Sequence, residues 1–239
     1  MTNDERNLAR IRSSGLTSPS IFDIRGSTFG AGGAFTMIEL LVVIAIIIIL
    51  AGLVLSTIGY VQKKGARARA ETEIAAISAA CESYKADNGI YPRDPTANTA
   101  TDRLNAKTDG DPTLSATNPS GVTYPPASLV LYRALSGDTN LDRAVNATDQ
   151  NFKIDGTTLS PPLTQLPKVY YTFKPNQLSP PDQTAVQYIR DPFGNSYGYS
   201  TANQFNSSNG YNPTFDLWST TGLTASPSST ITPQWIKNW

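Results

Sequence analysis

From Leu40 to Leu55 every residue is Ala, Val, Ile, Leu or Gly. Continued to Val61, this run exceeds the roughly 20 residues that a helix needs to cross a bilayer. A carboxylate, Glu39, stands at its mouth. Beyond Val61 the pattern changes without a break. In VQKKGARARAETEIAAISAACESYKADNG, residues Ile74, Ile77, Cys81 and Tyr84 recur at spacings of three and four and form one apolar stripe. Gly89 suits a C-cap and Pro92 follows it. The pattern predicts one helix from about Phe35 to about Asn88, roughly 80 Å long at about 1.5 Å per residue. Its first half is apolar all round and its second half is amphipathic. Gly52 and Gly59 are its weak points; they allow a bend or close packing, or are simply tolerated in lipid.

Downstream, a Thr-, Asn-, Asp- and Pro-rich stretch to about Pro126 reads as an irregular loop. ASLVLYRALSG has helical spacing and a terminal Gly, and predicts a short helix. KVYYTFK, AVQYIRD, SYGYS and TFDLWS are aromatic and β-branched, separated by Pro, Gly and Asn clusters. They predict three or four short antiparallel strands. The fold class is therefore α+β, a small antiparallel sheet packed on the stripe of the long helix. Residues 1–34 are polar and without period. They read either as a disordered tail or as a removable targeting segment.

Composition narrows the chemistry. Nineteen basic residues balance nineteen acidic ones among 239, so no nucleic-acid partner is expected. There is no His, which excludes Ser-His-Asp and Cys-His catalysis and removes the commonest metal ligand. With no nucleophile elbow and no clustered acid pair, the chain is not expected to be an enzyme. Cys81 lies on the helical stripe and reads as a small core residue. Trp218, Trp235 and Trp239 read as sheet and tail packing. Lys63, Lys64, Arg67 and Arg69 follow the apolar run as a solvated or headgroup-contacting face. Four arginines also precede that run, so the positive-inside count does not fix an orientation.

The segment AFTMIELLVVIAII resembles the processing signal of type IV pilins and type II secretion pseudopilins. In that family a prepilin peptidase cuts before the Phe and methylates the new N-terminus. The resemblance places the cut between Ala34 and Phe35 and makes Glu39 the fifth mature residue. Ala34 stands where the family usually has Gly. ACESYKADNGIYP, DPFGNSYGY, GYNPTFDLWSTTG and WIKNW are similar to the helix end, strand-turns and tail of the major pseudopilin. The implied organisation is a leader over 1–34, a membrane-spanning and assembly half-helix over 35–61, an amphipathic half over 62–89 and a periplasmic globular domain over 90–239. The implied function is a structural subunit of a type II secretion pseudopilus, anchored by a single pass in the inner membrane. Its partners would be its own copies in a filament, the peptidase and the inner-membrane assembly platform. A type IV pilin for adhesion, motility or DNA uptake is the near alternative. A membrane-anchored calcium-binding module is an alternative of another class.

A carboxylate inside a membrane helix is costly, of the order of a few kcal/mol, and calls for a partner. The family reading supplies the new amine at Phe35 of a neighbouring subunit for Glu39. The plainer reading is an acid at headgroup level, favoured by the helix dipole.

GDTNLDRAVNATDQ carries oxygen side chains at calcium-loop spacing. Asp138, Asn140, Asp142, Asn146 and Asp149 fill positions one, three, five, nine and twelve of a twelve-residue loop, with the carbonyl of Ala144 at seven. Hard oxygen donors without His or Cys favour Ca²⁺. The loop looks closest to dockerin-type loops, which end in Asp. Arg143 takes the sixth position, where Gly is usual for a sharp turn; it implies strain or a different loop shape. A polar surface turn has the same composition. The aspartates that major pseudopilins carry near the C-terminus are missing from TTGLTASPSSTITPQ, so the 138–149 loop is a candidate replacement.

Overall fold

A computed structural model describes residues 35–93, 100–181, 185–225 and 228–239. In chain order its helices are α1 (Met37–Asn88), α2 (Ala100–Arg103), α3 (Tyr124–Ser136) and α4 (Ala202–Phe205). Its strands are β1 (Leu178–Ser179), β2 (Tyr188–Ile189), β3 (Gly198–Ser200), β4 (Asp216–Ser219) and β5 (Ile236–Lys237). The arrangement is mixed α+β, as the sequence pattern predicts. The chain divides into two compact units, Met1–Leu53 and Val54–Trp239, and the boundary falls within α1.

In the first unit every residue from Phe35 to Leu53 is exposed. Among the described residues nothing covers these apolar chains: Met37 is 90% and Ile48 65% exposed. α1 is long and apolar enough to span a membrane.

In the second unit burial begins at Ala66 and continues through Ala70, Ile74, Ile77, Ala80 and Cys81, the stripe that the spacing picks out. Clustered with it are Leu131 and Leu135 of α3, Leu178 and Ile189 of β1 and β2, Tyr197 just before β3, and Tyr199, Leu217 and Ile236 of the second sheet. α3 carries Pro125 and Pro126 directly after its first residue, Tyr124, and their fixed φ suits a first helical turn. It stops at Gly137, which takes φ 76° and donates its N–H to the Arg133 carbonyl.

Among the described residues there are two sheets. β1 pairs antiparallel with β2, and the other sheet has the order β3-β4-β5. The C-terminal tail supplies β5, with Ile236 opposite Ser219. α3 is fastened to β2 by the Ile189 N–H, which donates to Ser128 Oγ at 2.8 Å. KVYYTFK is not a strand. The N–H groups of Tyr170 and Tyr171 both donate to the Leu135 carbonyl, at 2.8 and 2.9 Å. The end of α3 thus takes donors that a ladder would have used, and the aromatic chains pack beside it: Tyr132 and Phe173 meet at 5.2 Å.

A second cluster joins Leu104, Tyr124, Ala127, Trp218 and Trp235. Trp218 stacks on Trp235 at 5.7 Å and donates its indole N–H to the Tyr124 hydroxyl at 3.0 Å. Gly198, directly opposite Trp218 in the ladder, makes room for the indole. A Cβ there would lie 2.2 Å from Trp218 Cε2. Neither the indole nor strand β3 can yield without breaking the ladder. Gly198→Ala is expected to lower stability by about 3 kcal/mol, read as a lower urea midpoint with an unchanged slope; an unchanged midpoint refutes this packing.

Candidate functional site

The start of α1 is built by a local reciprocal bond. The Thr36 N–H and hydroxyl both donate to Glu39 Oε2, at 2.8 and 2.9 Å. The Glu39 N–H donates back to Thr36 Oγ1 at 3.2 Å, and the Leu40 N–H closes the first helical turn on the Thr36 carbonyl. This is a capping box: it satisfies donors that a helix start leaves open. Its signature, Thr-x-x-Glu in TMIE, is local in the sequence, and it gives Glu39 a partner within its own chain besides the intermolecular and headgroup partners expected from its place in the helix. Phe35 precedes the helix and is 82% exposed. Ala34, the other residue of the expected cut, lies outside the described residues.

The 138–149 loop folds around its two terminal carboxylates. Asp149 is fully buried. Its Oδ1 accepts the N–H groups of Thr139 and Asn140 at 2.7 and 3.1 Å, and its Oδ2 accepts that of Asn146 at 2.8 Å. Asp138, also buried, accepts the Tyr132 hydroxyl at 2.7 Å and the Arg143 N–H at 2.6 Å on Oδ2, and the Asp142 N–H at 3.1 Å on Oδ1. Burial raises the Asp138 pKa above the ordinary carboxylate value, against these bonds. Asp142 is exposed. The small desolvation it suffers is outweighed by the Ala144 N–H and the side-chain amides of Asn140 and Asn146, which hold its pKa low. Asn146 Oδ1 accepts the Thr148 N–H at 2.8 Å and caps a short 3-10 turn over Ala147–Asn151.

Arg143 takes the left-handed conformation, φ 70°, at the position where glycine is usual. The turn is therefore as sharp as the spacing requires, with strain of about 1–2 kcal/mol. The backbone bond to Asp138 and guanidinium bonds to the carbonyls of Pro180 and Pro181 hold it there. The donor set consists of carboxylate, amide and carbonyl oxygens, which suit a hard cation. Among the described residues, however, no group of three or more His, Cys, Asp or Glu side chains is placed to hold a metal ion. Backbone and amide donors, not converging acids, organise the loop here. Thr139 and Tyr132, which the spacing argument does not select, tie it to α3.

Comparison with protein-family models, with curated proteins and with solved structures returns no match to this chain.

Removing the Asp149 carboxylate strands three backbone donors, that of buried Thr139 among them. Asp149→Ala is expected to cost about 2–4 kcal/mol of stability in the absence of metal. Asp149→Asn, which keeps one oxygen, should cost less. Equal urea midpoints for the wild type and Asp149→Ala would remove this role.

Proposed function

We propose that the chain is the structural subunit of a type II secretion pseudopilus. It inserts in the inner membrane through α1, is cut before Phe35 by a prepilin peptidase, and assembles on its platform into a filament of its own copies. The observation that carries this reading is the division of labour along α1. Residues 35–65 are uncovered, apolar up to Val61 and marked by one acid, Glu39; Ala66 to Cys81 supply the core stripe of a folded domain. A membrane helix needs the first property only while it sits in lipid; packed sister helices would cover the same surface afterwards. In assembly Glu39 exchanges its bonds with Thr36 for the cationic N-terminus of a neighbour, and this ion pair sets the axial register.

Thr36 separates capping from assembly. Glu39→Ala should insert and be cut but form no filaments. Thr36→Ala removes the two bonds made by the Thr36 hydroxyl and keeps its N–H on Glu39, at a cost of about 1 kcal/mol, and should still form filaments. Electron microscopy of sheared filaments reads assembly, and the intact mass of the membrane-extracted protein reads processing. A mass that starts at Met1, normal filaments from Glu39→Ala, or equal defects in both variants would overturn the reading.

The 138–149 loop is proposed to take Ca²⁺ through Asp138, Asn140, Asp142, Asn146, Asp149 and the Ala144 carbonyl. Its fit lies in the left-handed turn at Arg143 and the all-oxygen donor set. Binding would require the Asn140 and Asn146 amides to turn from Asp142 and present oxygen. Calcium at about 100 times its dissociation constant would add about 2.7 kcal/mol. The melting temperature should rise by several degrees over an EDTA control. Asp142→Ala should abolish the rise, because Asp142 is an exposed ligand whose loss spares the buried bonds of the loop. No calcium-dependent rise in the wild type would dismiss the site.

A further inference from the structure

A cavity of about 360 Å³ opens between the C-terminal ends of α1 and α3 and the segment 152–170. That volume is at the small end of the range for ligand sites. Tyr84, Phe152 and Tyr170 contribute aromatic walls, and Arg133, Lys153 and Lys168 contribute cations. The Tyr84 and Tyr170 rings meet edge to face at 5.2 Å. No acid lines the cavity.

Arg133 is the unusual member. It sits in the last turn of α3, half-buried, and its Nε donates to the Thr139 carbonyl at 3.0 Å. That bond orients the guanidinium plane. Neither Nη1 nor Nη2 has a hydrogen bond or an ion pair among the described residues. The nearby acids make no direct bond to it. Asp155 accepts the Thr157 N–H and hydroxyl at 2.7 and 2.6 Å, and Asp138 accepts Tyr132 and Arg143. They act on Arg133 only through space, and burial pulls its pKa down. Lys168 is paired with Asp87.

Gly156 shows that the loop is shaped around this guanidinium. It has φ 85°, and a Cβ there would lie 2.8 Å from Nη2, 3.0 Å from Cζ and 3.1 Å from Nη1 of Arg133. A half-desolvated guanidinium with two donating nitrogens free is a strong recognition element for a planar anion, and carboxylate is the geometric match. The aromatic walls select an apolar body behind that carboxylate.

We propose that this cavity binds a small carboxylate with an aromatic or branched apolar body, its carboxylate held by Nη1 and Nη2 of Arg133 and its body seated on Tyr84, Phe152 and Tyr170. The site does not depend on the filament reading.

The test uses the full chain in lipid nanodiscs, with phenylacetate and its neutral analogue phenylacetamide as probes, followed by NMR of labelled tyrosines. Phenylacetate should shift the Tyr84 and Tyr170 signals saturably, and phenylacetamide should bind roughly tenfold more weakly, since a charge-assisted bond is worth at least about 1.5 kcal/mol. Arg133→Gln should reduce phenylacetate to the level of the amide. Gly156→Ala, which displaces the guanidinium, should weaken phenylacetate more than phenylacetamide. The probe comparison on the wild-type chain stands even if a variant fails to fold. Equal binding of the two probes, no saturable shift with phenylacetate, or full binding by a folded Arg133→Gln would each overturn the proposal.

Discussion

The folded domain depends on one stripe of α1. Ile74, Ile77 and Cys81 are buried in one cluster with residues of α3 and of both sheets, the C-terminal strand included. A hydrogen bond from the Tyr197 hydroxyl to half-buried Glu73, at 2.7 Å, adds a polar fastening between helix and sheet. Burial raises the Glu73 pKa, and the bond from Tyr197 partly offsets it. Elements this small could not fold alone: the strands are two to four residues long, and such ladders need a packed face to persist. The helix supplies that face, and the domain is in this sense a cover for the second half of α1.

Much backbone is left outside helices and ladders, and buried carboxylates take over its bonding. Asp149 gathers three N–H groups in the 138–149 loop. Asp191 accepts those of Phe193 and Asn195 together with the Ser219 hydroxyl. Asp216 accepts those of Tyr211 and Asn212. Desolvation raises the pKa of Asp191 and of Asp216, against the bonds they accept. The same device explains why acidic loops here need not be metal sites: a carboxylate ringed by backbone donors is already satisfied. A calcium ion would compete with those donors at Asp138 and Asp149, and would find Asp142 more accessible.

Glu39 presents the same duality at the other end of the chain. In this structure it completes a capping box with Thr36. In the reading proposed above, the same acid would instead pair with a neighbouring positive charge.

The long helix, its change from all-round apolar to striped, the α3 segment and the aromatic strands around Tyr199 and Leu217 were legible in the sequence. Each rests on local periodicity or on a local stop such as Gly137. The oxygen spacing of the 138–149 loop and the Thr-x-x-Glu start of α1 were written there too. What only the tertiary structure decided was non-local. KVYYTFK has strand composition, yet the Leu135 carbonyl captures its donors. The tail becomes β5 because Trp218 and Ser219 offer a free edge. Gly198 must be glycine because Trp218 crosses it, and the Arg133 guanidinium meets the loop at Gly156 only through the fold. Periodicity reports which face of a segment is apolar. It carries no information about which distant carbonyl, indole or loop will meet that face, since those contacts are fixed by packing across scores of residues.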